Sequence, residues 1–533
     1  MVFKLNNHFL PVLVTLSGLT ATADGKNPAA LQQRPNILFC IADDQSFPHA
    51  GAYGCKWVKT PAFDRVAREG ILFTNAYTCN AKCAPSRSSI LTGRNSWQLE
   101  EAANHVPFFP AKFKTYAETL IESGYHVGLT AKGWAPGNPG MADGKKRELL
   151  GPSWNEHKTT PPAKYISDND YAANFEAFLK DNPDGKPFCF WFGSTEPHRA
   201  YEFKAGATKG GKSISEIDKV FGFWPDNDTV RNDMLDYAFE IEYFDSHLAK
   251  MLKILEEKGL LENTLIVVTA DNGMPFPRVK GNAYELSNHL PLAIMWPKGI
   301  KNPGRTVDDF VSFTDFAPTF LDLAGISEKQ SGMQKMEGKS MRPVLNETQK
   351  GKFRDYMVIG KERTDLGRPD DVGYPIRGIV TNDFLYLRNY HPERWPAGNP
   401  GTGYMDCDGS PTKSFILNDR RSKGKSSYWD MNFGRLPGEQ LFRVSSDQEC
   451  MENLAGNPEY ATVKSKLIKQ MTKKLKKDGD PRMFGRGDIF DTYPYSENTR
   501  NFYNRVMAGE KLKAGWIEPT DIEKEKINQL PEK

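Results

Sequence analysis

The sequence predicts an α/β fold: a large, mainly parallel sheet sandwiched by helices, followed by a smaller C-terminal α+β subdomain with antiparallel strands. Three observations predict it. Two apolar runs end in polar pairs, residues 35–42 before Asp43-Asp44 and residues 264–270 before Asp271-Asn272, and strands buried on both faces read as such unbroken runs. Helical and strand-like patterns alternate between them, as crossover connections require. After about residue 375 the texture changes to short strands around turn residues.

In chain order, residues 61–69 read as helix, 71–77 as strand, 86–91 and 115–122 as helices and 125–130 as strand. Residues 171–180 read as helix, 187–193 as a strongly aromatic strand, 231–257 as a long helix, and 264–270 and 291–296 as strands. Beyond these, 376–380 and 384–388 flank Asn382-Asp383 as a hairpin, 438–444 add a strand, 460–476 form an amphipathic helix and 521–533 a loose end. The expected division is therefore a main domain over 24–374, an antiparallel subdomain over 375–485 and an extension over 486–533. Ligand sites in such sheets form beyond the carboxyl ends of the strands, where both polar pairs sit.

Composition bounds the function. The chain of 533 residues is 39% hydrophobic and 26% charged, with a net charge of +3, which suits a globular protein and gives no charge-based case for nucleic acid. Residues 1–23 have a basic start, an apolar stretch and a small-x-small end at Ala21-Thr22-Ala23, the pattern of a cleaved export signal. The stretch is too short to span a bilayer, so an exported protein, periplasmic or secreted, with no membrane span is expected. Seven cysteines are present. Their number permits disulfides or buried thiols, and their spacing matches no zinc site.

Asp43, Asp44, Asp271 and Asn272 form an oxygen-donor set suited to a hard divalent cation. Adjacent acids at one strand end repel unless a cation offsets them. Between them in the chain stand residues 83–94, Cys-Ala-Pro-Ser-Arg-Ser-Ser-Ile-Leu-Thr-Gly-Arg.

That segment resembles the signature of the type I, formylglycine-dependent sulfatases of the alkaline-phosphatase-like superfamily. The resemblance implies that Cys83 is oxidised to formylglycine by a formylglycine-generating enzyme, and that the hydrated aldehyde attacks sulfur. It further implies that Arg87 holds this nucleophile, and that Asp43, Asp44, Asp271 and Asn272 bind Ca2+ (or Mg2+) that also contacts position 83. Lys132, in Thr-Ala-Lys-Gly-Trp, resembles a sulfate-binding lysine. The histidine expected just after it is absent, with Trp134 near its place and His105 as a substitute. His198, in Glu-Pro-His-Arg, resembles a histidine that contacts sulfate and protonates the leaving group. Lys280 matches a further sulfate-binding cation, with Arg278 as its rival.

Within the family the chain looks most like the sulfamidase-like carbohydrate sulfatases, on Ala42-Asp43-Asp44, Pro197-His198-Arg199 and Asp271-Asn272-Gly273-Met274-Pro275-Phe276-Pro277. Arg363, Arg368, Tyr374 and Arg377 fall where relatives contact the sugar, with Asn104 beside His105, and arginine suits an acidic glycan. The expected activity is sulfate-ester hydrolysis on a sulfated carbohydrate. The alternatives are an N-sulfoglucosamine sulfohydrolase, a phosphoester or phosphonate hydrolase of the same superfamily, and an inactive glycan-binding homologue.

Overall fold

A computed structural model describes residues 34–527, together with Met1 and Val2. The export-signal expectation falls almost entirely on residues outside that range.

The main domain is built on an eight-stranded sheet. Its strands are β1 (Asn36–Ala42), β2 (Ile71–Tyr77), β3 (His126–Ala131), β4 (Phe188–Gly193), β5 (Thr264–Ala270), β6 (His289–Met295), β7 (Arg305–Val307) and β8 (Val311–Ser312). The spatial order is β8-β2-β6-β5-β1-β4-β3, with β7 also on β2. The central pairs β5/β1, β1/β4 and β4/β3 are parallel, whereas β6 runs antiparallel to both β5 and β2. The apolar run in β6 does not encode its direction. The connection after β5 does: its one α-helix, Glu285–Asn288, has only four residues, too short to cover the sheet as the crossover to a parallel neighbour usually must.

Alternate residues of β1 feed two separate cores, as strand geometry dictates. Ile37, Phe39 and Ile41 pack with Ile90 and Leu91 of α2 (Cys83–Thr92), Tyr116 and Leu120 of α3 (Tyr116–Glu122), and Phe316 and Phe320 of α6 (Phe316–Leu323). Leu38, Cys40 and Ala42 pack instead with Phe63 and Val66 of α1 (Pro61–Glu69), Phe175 of α4 (Tyr171–Lys180), and Phe244 and Leu248 of α5 (Asp228–Glu257). With both faces covered, only the strand ends are left to meet solvent and ligand.

The second sheet is antiparallel, in the order β9 (Met357–Lys361), β10 (Ile376–Val380), β11 (Leu385–Asn389) and β12 (Glu439–Phe442). Its first strand precedes residue 375, the expected start of the subdomain. Helix α7 (Ala461–Asp478) covers one face, placing Leu467, Met471 and Leu475 on Val358, Ile379 and Tyr386. The far end is not loose at its start: Asp521 is buried and pairs with Lys413 at 3.0 Å. All seven cysteines are free thiols.

His49 is buried between Trp57 and Tyr237, its Nδ1 3.1 Å from the Tyr237 hydroxyl. Burial lowers its pKa from 6.5 to about 3. The folded chain therefore binds fewer protons at this site than the unfolded chain, so this contribution to stability is full above about pH 6.5 and is lost as pH falls. His49→Gln should flatten the acid limb of stability, read as urea midpoints between about pH 7 and about pH 4. An unchanged slope would show that His49 is not an acid-sensitive element of the fold.

Candidate active site

The in-register pairing Ala42↔Ala270 brings the residues after β1 and β5 side by side. Asp43-Asp44 therefore meets Asp271-Asn272 directly. The Asp271 amide donates to the Ala42 carbonyl at 3.2 Å, and the Asp44 amide donates to Asp271 Oδ1 at 3.0 Å. Asp44 adopts φ 77°, a left-handed turn that aspartate tolerates better than most side chains. The same registration continues across β4 and β3. The Lys132 amide donates to Gly193 O at 2.8 Å and the Asp43 amide to Glu196 O at 2.9 Å, so Lys132 and the Glu196–His198 turn arrive at the same rim.

Helix α2 delivers Cys83 as its first residue. Pro85 lies in the first turn, where a missing N–H costs nothing. Ser86 Oγ ties the helix to Asp271 O at 2.6 Å. Gly93 ends the helix at φ 67°, donating back to Ser89 O, in the left-handed conformation that favours glycine. The motif's Gly93 therefore serves the helix end rather than the chemistry. Arg94 likewise lies outside the site: it donates to Lys335 O and its guanidinium covers the Phe113 ring.

Cys83 Sγ lies 3.5 Å from Asp43 Oδ1 and 3.7 Å from Asp44 Oδ1. Ligand atoms of Asp43, Asp44, Cys83 and Asp271 all fall within 4.8 Å of one another. Asn272 Nδ2 donates to Asp44 Oδ1 at 2.6 Å, while Asn272 Oδ1 is buried without a hydrogen-bond partner among the described residues. A buried, unsatisfied amide oxygen among carboxylates is costly alone, and it is the donor a hard cation takes. The residues present fit a divalent cation.

Cations surround this set. Arg87 Nε donates to Asp271 Oδ2 at 2.8 Å, its Nη2 lies 3.4 Å from Asp43 Oδ1, and its Nη1 donates to the carbonyls of Lys132 and Gly133. Lys132 Nζ donates to Asp43 Oδ2 at 2.5 Å. Burial pushes the Asp43 carboxyl up, but Lys132, His198 and Arg87 outweigh it and hold it at about 2. Burial, reinforced by Asp43, pushes the Cys83 thiol well above its ordinary value. A thiol kept protonated is a poor nucleophile.

Lys280 Nζ lies 2.7 Å from both Asp44 Oδ2 and Asp408 Oδ2, and 2.9 Å from His198 Nε2. The other imidazole nitrogen of His198, Nδ1, lies 2.5 Å from Arg199 O. A proton on Nδ1 satisfies that carbonyl and leaves Nε2 to accept from Lys280. The His198 side chain is 32% exposed, against 3% for Lys280 and 0% for Asp44, which puts the imidazole at the mouth of the cluster.

The structure thus brings Asp43, Asp44, Cys83, Arg87, Lys132, His198, Asp271, Asn272 and Lys280 together. Arg278, the rival of Lys280, points elsewhere, donating to Met431 O and Cys450 O and stacking on Tyr284. The Trp134 indole donates to Ser88 Oγ at 2.7 Å and packs edge-on against Phe109, bracing α2 from behind. His105 bonds to Asp365, which pairs with Lys82, the residue before Cys83. It stands behind the site, its pKa lowered by burial.

The expected sugar-facing group lies buried in the structure. Asn104 bonds to Phe490 O and the Arg363 amide. Arg363 is buried and reaches Tyr493 O. Arg368 is buried against Trp395 O, Pro396 O and Asp406. The Tyr374 hydroxyl accepts from Asn389. Arg377 pairs with Asp480 at 2.7 Å and with Glu362 at 2.6 Å. Asn104, Arg363 and Arg377 tie the residues after α7 to the rest of the chain, and Arg368 and Tyr374 bond to partners within residues 389–406, while Arg363 Nε and Nη2 and Arg368 Nη1 are buried with no hydrogen-bond partner among the described residues. Asp408 and Lys82 also stand at the site, without a local signature in the sequence. Asp408 lies in an irregular loop, 128 residues from Lys280, where no periodicity marks it, and Lys82 stands one place before the motif.

Residues 35–326 match the family model described as Sulfatase, and residues 279–391 match one described as N-sulphoglucosamine sulphohydrolase, C-terminal. The chain is 31% identical over 459 residues to an ulvan-active sulfatase of Formosa agariphila, covering 85% of this chain and 82% of that relative. It is 25% identical over 479 residues to the N-sulphoglucosamine sulphohydrolase of Homo sapiens, covering 84% and 91%. A solved structure of a protein in complex with its substrate D-glucosamine-2-N,6-O-disulfate superposes with a TM-score of 0.61 at 21% identity, over 84% of this chain and 98% of that one.

Arg377→Met should destabilise the fold by about 3–5 kcal/mol, because it strands Asp480 as a buried charge and leaves Glu362 to Arg482 alone. The loss would be read as a lowered urea midpoint. The KM of the folded fraction for a sulfated sugar should not change. A raised KM at unchanged stability would return Arg377 to the sugar site.

Proposed function

The chain belongs to the sulfatase family and is a sulfuric ester hydrolase, and we propose that it removes sulfate from a sulfated polysaccharide outside the cytoplasm, using a formylglycine made from Cys83 and a bound Ca2+. The observation that carries this reading is the convergence of three carboxylates and the unsatisfied Asn272 amide oxygen on Cys83, the first residue of a helix.

Asp43, Asp44, Asp271 and Asn272 would hold the cation, which supplies Lewis-acid polarisation of a sulfate oxygen. Formylglycine at position 83 supplies a hydrated aldehyde as nucleophile in place of a thiol that burial keeps protonated. Arg87, fixed by Asp271 and two carbonyls, orients that group. Lys132 and Lys280 bind the sulfate from two sides. His198 delivers a proton to the departing sugar oxygen, and its exposed ring recovers one from water. Asp408 keeps the Lys280 ammonium directed into the site.

Formal charge supports sulfate over phosphate. Asp43, Asp44, Asp271 and Asp408 oppose Arg87, Lys132 and Lys280, leaving one negative charge. A divalent cation turns this into one positive charge, which matches a sulfate monoester and under-compensates the charge of about −1.5 to −2 on a phosphate monoester. Among sugars, the greater identity to the ulvan-active relative favours an O-sulfated polysaccharide of that kind, with N-sulfated glucosamine second.

Protein co-expressed with a formylglycine-generating enzyme should release sulfate from ulvan oligosaccharides. Mass spectrometry of the peptide that ends at Arg87 should show the aldehyde. Cys83→Ala should lower turnover at least about a thousandfold with the fold intact. Full activity in that variant would end the formylglycine reading. Chelation should abolish turnover and added Ca2+ should restore it, while Asp271→Asn should weaken metal affinity at least about tenfold. Unchanged metal content in that variant would mean that the cation sits elsewhere.

A further inference from the structure

A second charged cavity lies away from Cys83. It has a volume of about 720 Å³ and runs between the main domain and α7. Six cationic side chains line it: Lys339, Lys352, Arg354, Lys473, Lys474 and Lys477. Glu337 and Asp355 are the acids of its lining, a surplus of four positive charges where the whole chain carries +3. Neutralisation inside the groove is partial. Lys474 pairs with Glu337 and Asp478, and Arg354 makes a two-point contact with Asp315. No acid lies within ion-pair distance of the Lys339, Lys352, Lys473 or Lys477 ammonium among the described residues.

Lys473 and Lys477 project one turn apart from the same face of α7. Lys339 and Lys352 face them from the main-domain side, so the charge lines both walls instead of covering a convex surface. Tyr356 on the wall adds an aromatic surface with a polar end. Asn95 also lines the groove, and it stands three residues beyond the end of α2, whose first residue is Cys83. Ten helical residues rise about 15 Å, so groove and reaction centre lie at opposite ends of one helix.

We propose that this groove is a second binding site for the substrate polymer, taking an anionic, sulfated stretch of polysaccharide while another stretch reaches Cys83. The proposal rests on the reading of the chain as a polysaccharide sulfatase. A polymer held at two places gains effective concentration at the second, so the groove acts on long chains and leaves short substrates unaffected. Its contribution weakens with salt, because the lysines are exposed.

The test is the triple variant Lys352→Gln, Lys473→Gln, Lys477→Gln in the full chain. On ulvan polysaccharide its KM should rise about five- to tenfold and its KM should depend less on NaCl, while kcat/KM on a small aryl sulfate stays at the wild-type value and shows that the variant is folded and matured. An equal KM for variant and wild type on the polymer overturns the proposal. Electrophoresis through gels containing ulvan needs no turnover. The wild type and Cys83→Ala should be retarded and the triple variant should run faster than both. Equal mobility of all three overturns the groove even if the enzyme is active. Retardation of the wild type without sulfate release from any glycan would sink the functional reading and leave the groove standing.

Discussion

Three carboxylates buried at the ends of two adjacent parallel strands set the terms for the rest of this molecule. Asp43, Asp44 and Asp271 are each no more than 1% exposed, and their mutual repulsion in so dry a place is tolerable only if opposite charge is fixed around them. The sheet supplies that charge through registration. β3, β4, β1 and β5 end level with one another, so Lys132, His198 and the two acidic pairs share one rim without any long loop to place them. Arg87 reaches the same point from α2, and its anchors on the Lys132 and Gly133 carbonyls make the helix a part of the rim.

The C-terminal part of the chain completes this balance. Asp408 and Asp365 are both buried and pair with Lys280 and Lys82, so cations beside Cys83 are held from the far side by acids that the main sheet does not contain. The second sheet is in turn locked by Arg377, Arg482, Glu362 and Asp480. Buried ion pairs of this kind add little net stability over apolar packing, yet breaking one partner is expensive. What they fix is relative position: a small displacement of the second sheet would withdraw Asp408 and leave Lys280 divided between Asp44 and His198.

Much of this was legible in the sequence, for physical reasons that also mark where legibility stops. The strands of the main sheet are unbroken apolar runs because both faces are covered, and acids at their ends stand out against them. The spacing within residues 83–94 records a helix start, a helix stop and the residues between. By contrast, the direction of β6 is absent from its own pattern and follows from the connection that precedes it. The arginine-rich segment over 362–377 reads the same whether its side chains face a glycan or a buried acid, since arginine serves both. Only the positions of Asp480, Glu362 and Asp406 decide, and these are up to about a hundred residues away. Asp408 is hidden for the same reason, as a long-range partner with no local signature.

The absence of a histidine after Lys132 has a structural consequence. Trp134 turns its indole N–H to Ser88 and its ring to Phe109, so it carries no proton toward the reaction centre and stiffens the helix that holds Cys83. His105 is tied to Asp365 and keeps its Nε2 buried without a partner, which separates it from solvent as a proton source. Proton traffic at the rim is then confined to His198, with Asp44 and Asp408 fixing the Lys280 ammonium beside it. In the proposed reaction one imidazole must therefore serve proton delivery to the leaving group and, after sulfate transfer, proton removal from the nucleophile. The exposure of His198 suits both, because it can exchange protons with water between the two steps while its deeper neighbours stay charged.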